Sequence, residues 1–450
     1  MNLELTKDKI YQILKRKHQI IDKKKLISNI KKTYLRTLSF LEPLISKKIT
    51  GYERDDNLGN INPLIWEFGH VVYFWEHKTI RLLSEANNIK NCMLEGSENL
   101  YNSHIVSREE RYENKYKLNT ILKTYRNIIE YIIKFIQKPP DEYNSISCYL
   151  IMISLLHNEM HNESFLFSSQ LLNLERPGIL KEYITKNNQD PHSIEFITIN
   201  GHGFRQGTDR DTHNFTFDNE MPSFSVDVKN FKVSKYPITQ YQYMKFVESN
   251  GYNNKNYWCQ QGWRWVRENN INHPIYWKKI NNNWMIKKFG KYYPLINNIP
   301  VYHISWYEAN AFCRWAGYRL PSESEWEFLA TNGGTSLYPW GNRKISQELC
   351  NIDYVYDGPV EVNKYMAGNN LQGVSQLFGN VWEWCAEPIY PYNGFIIDPV
   401  YREMSYPFFG FKRICRGGCW AVPNFLINSK YRNAQMPDCR MQFIGFRVCL

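Results

Sequence analysis

From Ser145 to Arg176 the chain carries neither glycine nor proline, and inside that stretch His157 and His161 stand four residues apart. Pro139-Pro140-Asp141 precedes the segment and Pro177-Gly178 follows it, so one long helix is predicted between them. Residues i and i+4 lie on one helix face, which aims both imidazoles at a common point. The flanks, IMISLL before and SFLFSSQLL after, are apolar enough for that point to be a protein interior. Two imidazoles facing a core need polar partners, and a single metal ion would serve both.

The rest of the first 185 residues also reads as helical. Asn62 is placed to cap a helix from Pro63 to Leu83, with Pro63 suited to its first position. Segments near 8–45 and 115–138 bring the number of main helices to four, enough for an antiparallel bundle over 1–185. His70 lies inside the second helix, flanked by Phe68, Val71, Val72 and Phe74, and is the candidate third ligand. After about residue 190 the texture changes, with frequent glycine, tryptophan and tyrosine and turns at Asn250-Gly251, Gly333-Gly334 and Gly417-Gly418. Short strands joined by long ordered loops are predicted over 195–450, with helices only at Ile238–Asn250 and Trp306–Trp315. The polar stretch ITKNNQDPHS sets the boundary near 180–195. The fold class is α+β.

The order H-x-E-x-H differs from the H-E-x-x-H of zinc proteases and puts Glu159 on another helix face. Three neutral imidazoles would fill half of an octahedral iron(II) shell and leave positions for substrate and O2. Three histidines also suit zinc, with water in the fourth position. A carboxylate ligand from Glu163 is disfavoured, because it lies roughly 200° round the helix from His161. Without a metal, the same residues read as buried histidines hydrogen-bonded to their neighbours.

Composition excludes several classes. The net charge of +11 is densest among the lysines of the first 35 residues. The excess of lysine, asparagine and isoleucine persists along the chain, so these lysines read as a solvated helix face and no nucleic-acid partner is expected. No apolar run reaches the ~18 residues of a membrane span, and the N-terminus lacks the apolar stretch of a secretory signal. The ten cysteines form no C-x-x-C pair and fit neither a disulfide framework nor a zinc knuckle. A cytoplasmic protein with reduced thiols and no membrane partner is predicted.

Two stretches then carry a family resemblance. NPLIWEFGHVVYFWE and LLHNEMHNES resemble the histidine signatures of the sulfoxide synthases of ergothioneine biosynthesis, on a helical region similar to the DinB-type four-helix bundle. Over 195–450, the runs DNEMPSFSVDVKNFKVSKYPITQYQYMKFVE, PVYHISWYEANAFCRWAGYRLPSESEWEFLA, LFGNVWEW, RGGCW and FIGFRV follow in order. They resemble the formylglycine-generating-enzyme module, a variant of the C-type-lectin fold. Formylglycine-forming enzymes carry a cysteine pair shortly after the RGGS-like motif. Here that stretch is AVPNFLINSKYRN, so formylglycine formation is not expected.

The resemblance implies that His70, His157 and His161 bind Fe(II). It implies that O2 drives C–S bond formation between a thiol and the imidazole of hercynine, with oxidation of sulfur to the sulfoxide. In LYNSHIVSREER, Arg108 and Arg111 are implied to clamp the donor's carboxylates, which favours γ-glutamylcysteine over cysteine. The family's Asn-Trp-Asp run before the final GFR stands here as Asn433, Ala434 and Gln435. The aromatic face and carboxylate that suit a quaternary ammonium are therefore missing. Met160, before the second bundle histidine, replaces a usual glutamine on the same acceptor side. A tyrosine proton donor is implied near the loop before FFG, either Tyr401 in its YRE context or Tyr392. LFGNVWEW implies either a structural Ca2+ held through Asn380 and Glu383 or a core turn around its two tryptophans. Three rival readings stay open: an ovothiol-type synthase joining cysteine to unmethylated histidine, a non-catalytic metal-holding binding protein, and a zinc-dependent thiol transferase.

Overall fold

The computed structural model describes residues 20–46, 61–83, 90–113, 116–139, 142–185, 193–209 and 215–450. Positions 8–19 of the expected first helix lie outside the described residues. The chain divides into two compact units. Of the described residues, the first holds those up to Leu171 together with Phe215 and Ile397–Glu403, and the second holds the remainder. Residues 172–185, expected with the bundle, thus pack in the second unit, where Lys181 bridges to Tyr356. Conversely, Ile397–Glu403, expected in the module, joins the helices.

Among the described residues, four long helices build the first unit: α1 (Lys23–Ser46), α2 (Leu64–Trp75), α3 (Leu118–Ile136) and α4 (Ser145–Leu171). A π turn at Glu76–Ile80 and a last turn at Arg81–Leu83 extend α2. Asp22 caps α1 by accepting from the Lys25 amide at 2.9 Å. Asn62 does not cap α2. Its Oδ1 accepts from Arg111 at 2.7 Å, and Pro63 occupies the cap position without a side-chain bond. The fourth helix stops before Arg176, two residues short of Asn173, which adopts a left-handed φ of 56°.

α4 is buried nearly all round, and its polar residues tie it to the other helices. Asn158 accepts from Trp75 Nε1 and Tyr125 Oη at 3.1 and 2.6 Å and donates to Thr37. Glu159 accepts from Thr33 and from the buried guanidinium of Arg36, and Asn162 accepts from Thr37. These contacts also set the topology. Ile21 meets Cys148, Thr33 meets Glu159 and Thr37 meets Asn162, so α1 and α4 run parallel. Glu67 reaches His161 while Thr79 reaches Leu150, so α2 runs against α4. Lys23 meets Lys138 and Tyr34 meets Tyr125, so α3 runs against α1. The directions are up, down, down, up. A crossover must return the chain from α2 to α3, and its short helix Ser97–Tyr101 packs on α2.

In the second unit, Trp382–Pro388 pairs antiparallel with Arg413–Arg416 and parallel with Ile444–Gly445. Asn433–Gln435 forms the outer edge. Trp326, Trp382, Trp384 and Trp420 are fully buried in its core. Helices Gln240–Glu248 and Trp306–Ala316 stand near their expected places. Gln260–Glu268 and Glu323–Ala330 are two more that the sequence reading missed. All ten cysteines are free.

Candidate metal centre

Because α2 and α4 run in opposite directions, His70 on one faces His157 and His161 on the other. The ring centroids lie 5.1 Å (His70–His157), 5.0 Å (His70–His161) and 4.5 Å (His157–His161) apart. One ring nitrogen from each lies within 4.8 Å of the other two, the only such donor group among the described residues. Glu163 is not part of it. Burial, aided by the neighbouring His161, lowers the His70 pKa to about 3. Burial and the other two imidazoles push His157 well down as well. Both rings are therefore neutral at ordinary pH, the state in which imidazole binds a metal.

The outward nitrogens fix the ring orientations. His70 Nδ1 donates to the carbonyl of Tyr101 at 2.7 Å, which leaves the Nε2 lone pair for the cluster. Gly69 makes this contact feasible, since a Cβ there would stand 2.1 Å from the Tyr101 ring. His161 Nδ1 meets Glu67 Oε1 at 2.7 Å. His157 has no partner at Nδ1 and lies flat on Phe74, with centroids 3.6 Å apart. Three convergent imidazoles, two of them oriented by acceptors behind them, suit a divalent ion.

Tyr401 belongs to this unit. Its ring stands edge-on to Phe74 at 4.9 Å and to His157 at 5.6 Å. The amides of Val400 and Tyr401 both donate to Asp398 Oδ1, at 2.8 and 3.1 Å, while Asp398 Oδ2 accepts from Tyr149 on α4. The helix carrying two of the histidines thereby also anchors the tyrosine. Glu403, two residues on, pairs with Lys78 at 3.7 Å and His104 at 3.9 Å. Tyr392 stands in the second unit, where its hydroxyl accepts from Gln206 and its ring lies under Arg432 at 4.0 Å. Burial pushes its phenol far up.

Arg111 stands close to His70. Its guanidinium lies 4.4 Å over Trp66, whose ring in turn stacks on His70 at 5.5 Å. Its donors go to Asn62 Oδ1, Ser103 O and Val106 O. That arrangement builds Arg111 into the wall behind His70. Arg108 is half-buried, and its charge and the burial of Arg111 both lower the pKa of Arg111, burial more strongly. Met160 is half-buried on α4. Asn433 and Gln435 sit on the edge strand of the second unit, where Asn433 Oδ1 accepts from the Ala434 amide and from Gln435.

The two side chains expected at a structural calcium, Asn380 and Glu383, have protein partners. Arg447 donates to both oxygens of Glu383 at 2.7 Å, and Trp326 Nε1 adds a third bond at 2.9 Å. Asn380 exchanges bonds with Val360, Gln376 and Asn351. A guanidinium thus pairs with Glu383 in the LFGNVWEW turn. Replacing Arg447 with Met should strand a buried carboxylate and cost about 3–5 kcal/mol in chemical denaturation. EGTA should leave the melting temperature of the wild type unchanged.

Glu67, Phe74, Tyr101 and Asp398 were not anticipated from sequence. Glu67 had a signal available: it precedes His70 by three residues, on the same helix face.

Fold and site together define a helical bundle bearing a three-histidine centre, followed by a mixed module. The chain belongs to the sulfatase-modifying factor enzyme 1-like domain family, whose profile matches residues 181–450. It is 29% identical to hercynine oxygenase of Mycolicibacterium smegmatis over 404 residues, covering 86% of this chain and 91% of that one. Hercynine oxygenase of Mycobacterium tuberculosis is 28% identical over the same shares. The formylglycine-generating enzyme of Thermomonospora curvata is 29% identical but covers 56% of this chain. The likeness to hercynine oxygenases therefore extends beyond the module into the helical region.

Proposed function

We propose that this chain is an iron(II)- and O2-dependent sulfoxide synthase that joins a thiol, γ-glutamylcysteine or cysteine, to the imidazole of hercynine. The observation that carries the reading is the convergence of His70, His157 and His161 beside Tyr401, in a chain similar to hercynine oxygenases over 86% of its length. The three imidazoles would hold iron(II), which when bound would supply Lewis acidity toward a thiol and redox chemistry toward O2. Overall the thiol hydrogen and the ring C–H hydrogen leave with one oxygen atom as water. The second oxygen atom stays on sulfur, and four electrons pass to O2. Arg108 supplies a cation for the donor's carboxylate, and orientation of this kind can lower the barrier by several kcal/mol. Tyr401 donates a proton to the oxygen that becomes water. Phe74 keeps water from the His157 side of the centre.

A second acceptor is favoured by one observation. Ala434 and Gln435 offer no aromatic face and no carboxylate to a trimethylammonium group, which suits unmethylated histidine and an ovothiol-type product. Anaerobically iron-loaded protein should be mixed with both thiols and both acceptors, then exposed to O2, with products followed by mass spectrometry. A sulfoxide-linked adduct with hercynine is expected. Adducts with histidine alone would move the assignment to the second reading, and O2-independent adducts with zinc-loaded protein would replace both.

A further inference from the structure

The three histidines differ in what stands behind them. His70 donates to a neutral carbonyl and His157 to nothing, whereas His161 faces a carboxylate. That carboxylate, Glu67, is 1% exposed, and its second oxygen has no partner in the protein. Arg111 acts on it only at longer range, with its own hydrogen bonds committed elsewhere. A buried carboxylate is costly unless paired, and one imidazole N–H is thin compensation. A divalent ion on the far side of the His161 ring changes this balance. It would place two positive charges on the imidazole cluster and give the desolvated carboxylate its counter-charge. Glu67 also fixes His161 with its proton on Nδ1, so the Nε2 lone pair faces the cluster.

We propose that Glu67 is the positioning residue of the centre: it orients His161 and supplies the negative charge that sets the affinity for a divalent ion, without itself binding that ion. This rests on reading the three histidines as metal ligands. Geometry and charge can be separated by substitution. Glu67→Gln keeps an acceptor for Nδ1–H but removes the charge, and Glu67→Ala removes both.

The test measures Co2+ and Fe2+ dissociation constants by anaerobic chelator competition for the wild type, Glu67→Gln and Glu67→Ala. Ion-free melting temperatures and saturated Co2+ visible spectra accompany them. Expected are losses of affinity of about tenfold for Glu67→Gln and up to about a hundredfold for Glu67→Ala, with the Co2+ band positions of Glu67→Gln unchanged. If the wild type binds neither ion, the metal reading itself fails. If the wild type binds and both variants bind equally well, the metal reading stands and the role of Glu67 is overturned. That role is likewise lost if Glu67→Ala lowers only the ion-free melting temperature. A Co2+ spectrum in Glu67→Gln that signals a lost ligand would make Glu67 a ligand and overturn the positioning role. Should Glu67→Ala not fold, Glu67→Gln alone still decides.

Discussion

His161→Ala should purify with background iron where the wild type should hold close to one iron per chain. Its sulfoxide formation should fall by at least about a thousandfold, since a catalytic metal supplies several kcal/mol. His161 is the best of the three for this test. It is partly exposed, at 19% of its side chain, so truncation opens little buried volume. His157, pressed flat on Phe74, and His70, wedged between Trp66 and the Tyr101 carbonyl, are structural as well as convergent. Their alanine variants should lose iron and also melt lower, by the cost of a core cavity. Metal content by mass spectrometry and product formation after iron loading check all three. Wild-type product formation by metal-free His161→Ala would remove the basis of the proposed function. Restoration by zinc but not iron would favour the transferase reading.

Much of this centre was legible because helical periodicity is a local rule. The four-residue spacing of His157 and His161 and the uninterrupted apolar flanks suffice to place two imidazoles on one buried face. What such spacing cannot give is direction. The up-down-down-up course of the bundle depends on pairs far apart in the chain, such as Thr33 with Glu159 and Thr37 with Asn162, each more than 120 positions apart. Nothing near Thr33 or Thr37 announces those partners. For the same reason Asn62 looked like a helix cap. Its carbonyl is claimed by Arg111, 49 residues on, and a competing donor overrides a local preference. Arg447 likewise reaches Glu383 across 64 residues. By contrast, the helix Glu323–Ala330 was readable and overlooked. Ser322 and Glu325 form a reciprocal cap whose S-x-x-E pattern is local.

Tyr401→Phe should separate chemistry from binding. The variant keeps the ring that meets Phe74 and His157, so iron content and KM for the thiol should stay within about twofold of the wild type. Without the hydroxyl, kcat for the sulfoxide should fall by about 10²- to 10⁴-fold, the usual worth of a positioned proton donor. Tyr392→Phe is the contrasting variant. Its hydroxyl accepts from Gln206 inside the second unit, so its loss should lower stability by about 1 kcal/mol and leave kcat nearly unchanged. A third variant probes how the tyrosine is held. Asp398 receives the Tyr401 amide on one oxygen and the Tyr149 hydroxyl on the other. Tyr149→Phe removes that anchor while leaving Tyr401 chemically intact. Its kcat should therefore fall between those of the wild type and Tyr401→Phe, and Tyr149→Phe added to Tyr401→Phe should lower kcat little further. Losses that multiply in the double variant would mean that Tyr149 acts independently, and equal losses in Tyr401→Phe and Tyr392→Phe would deny Tyr401 its role.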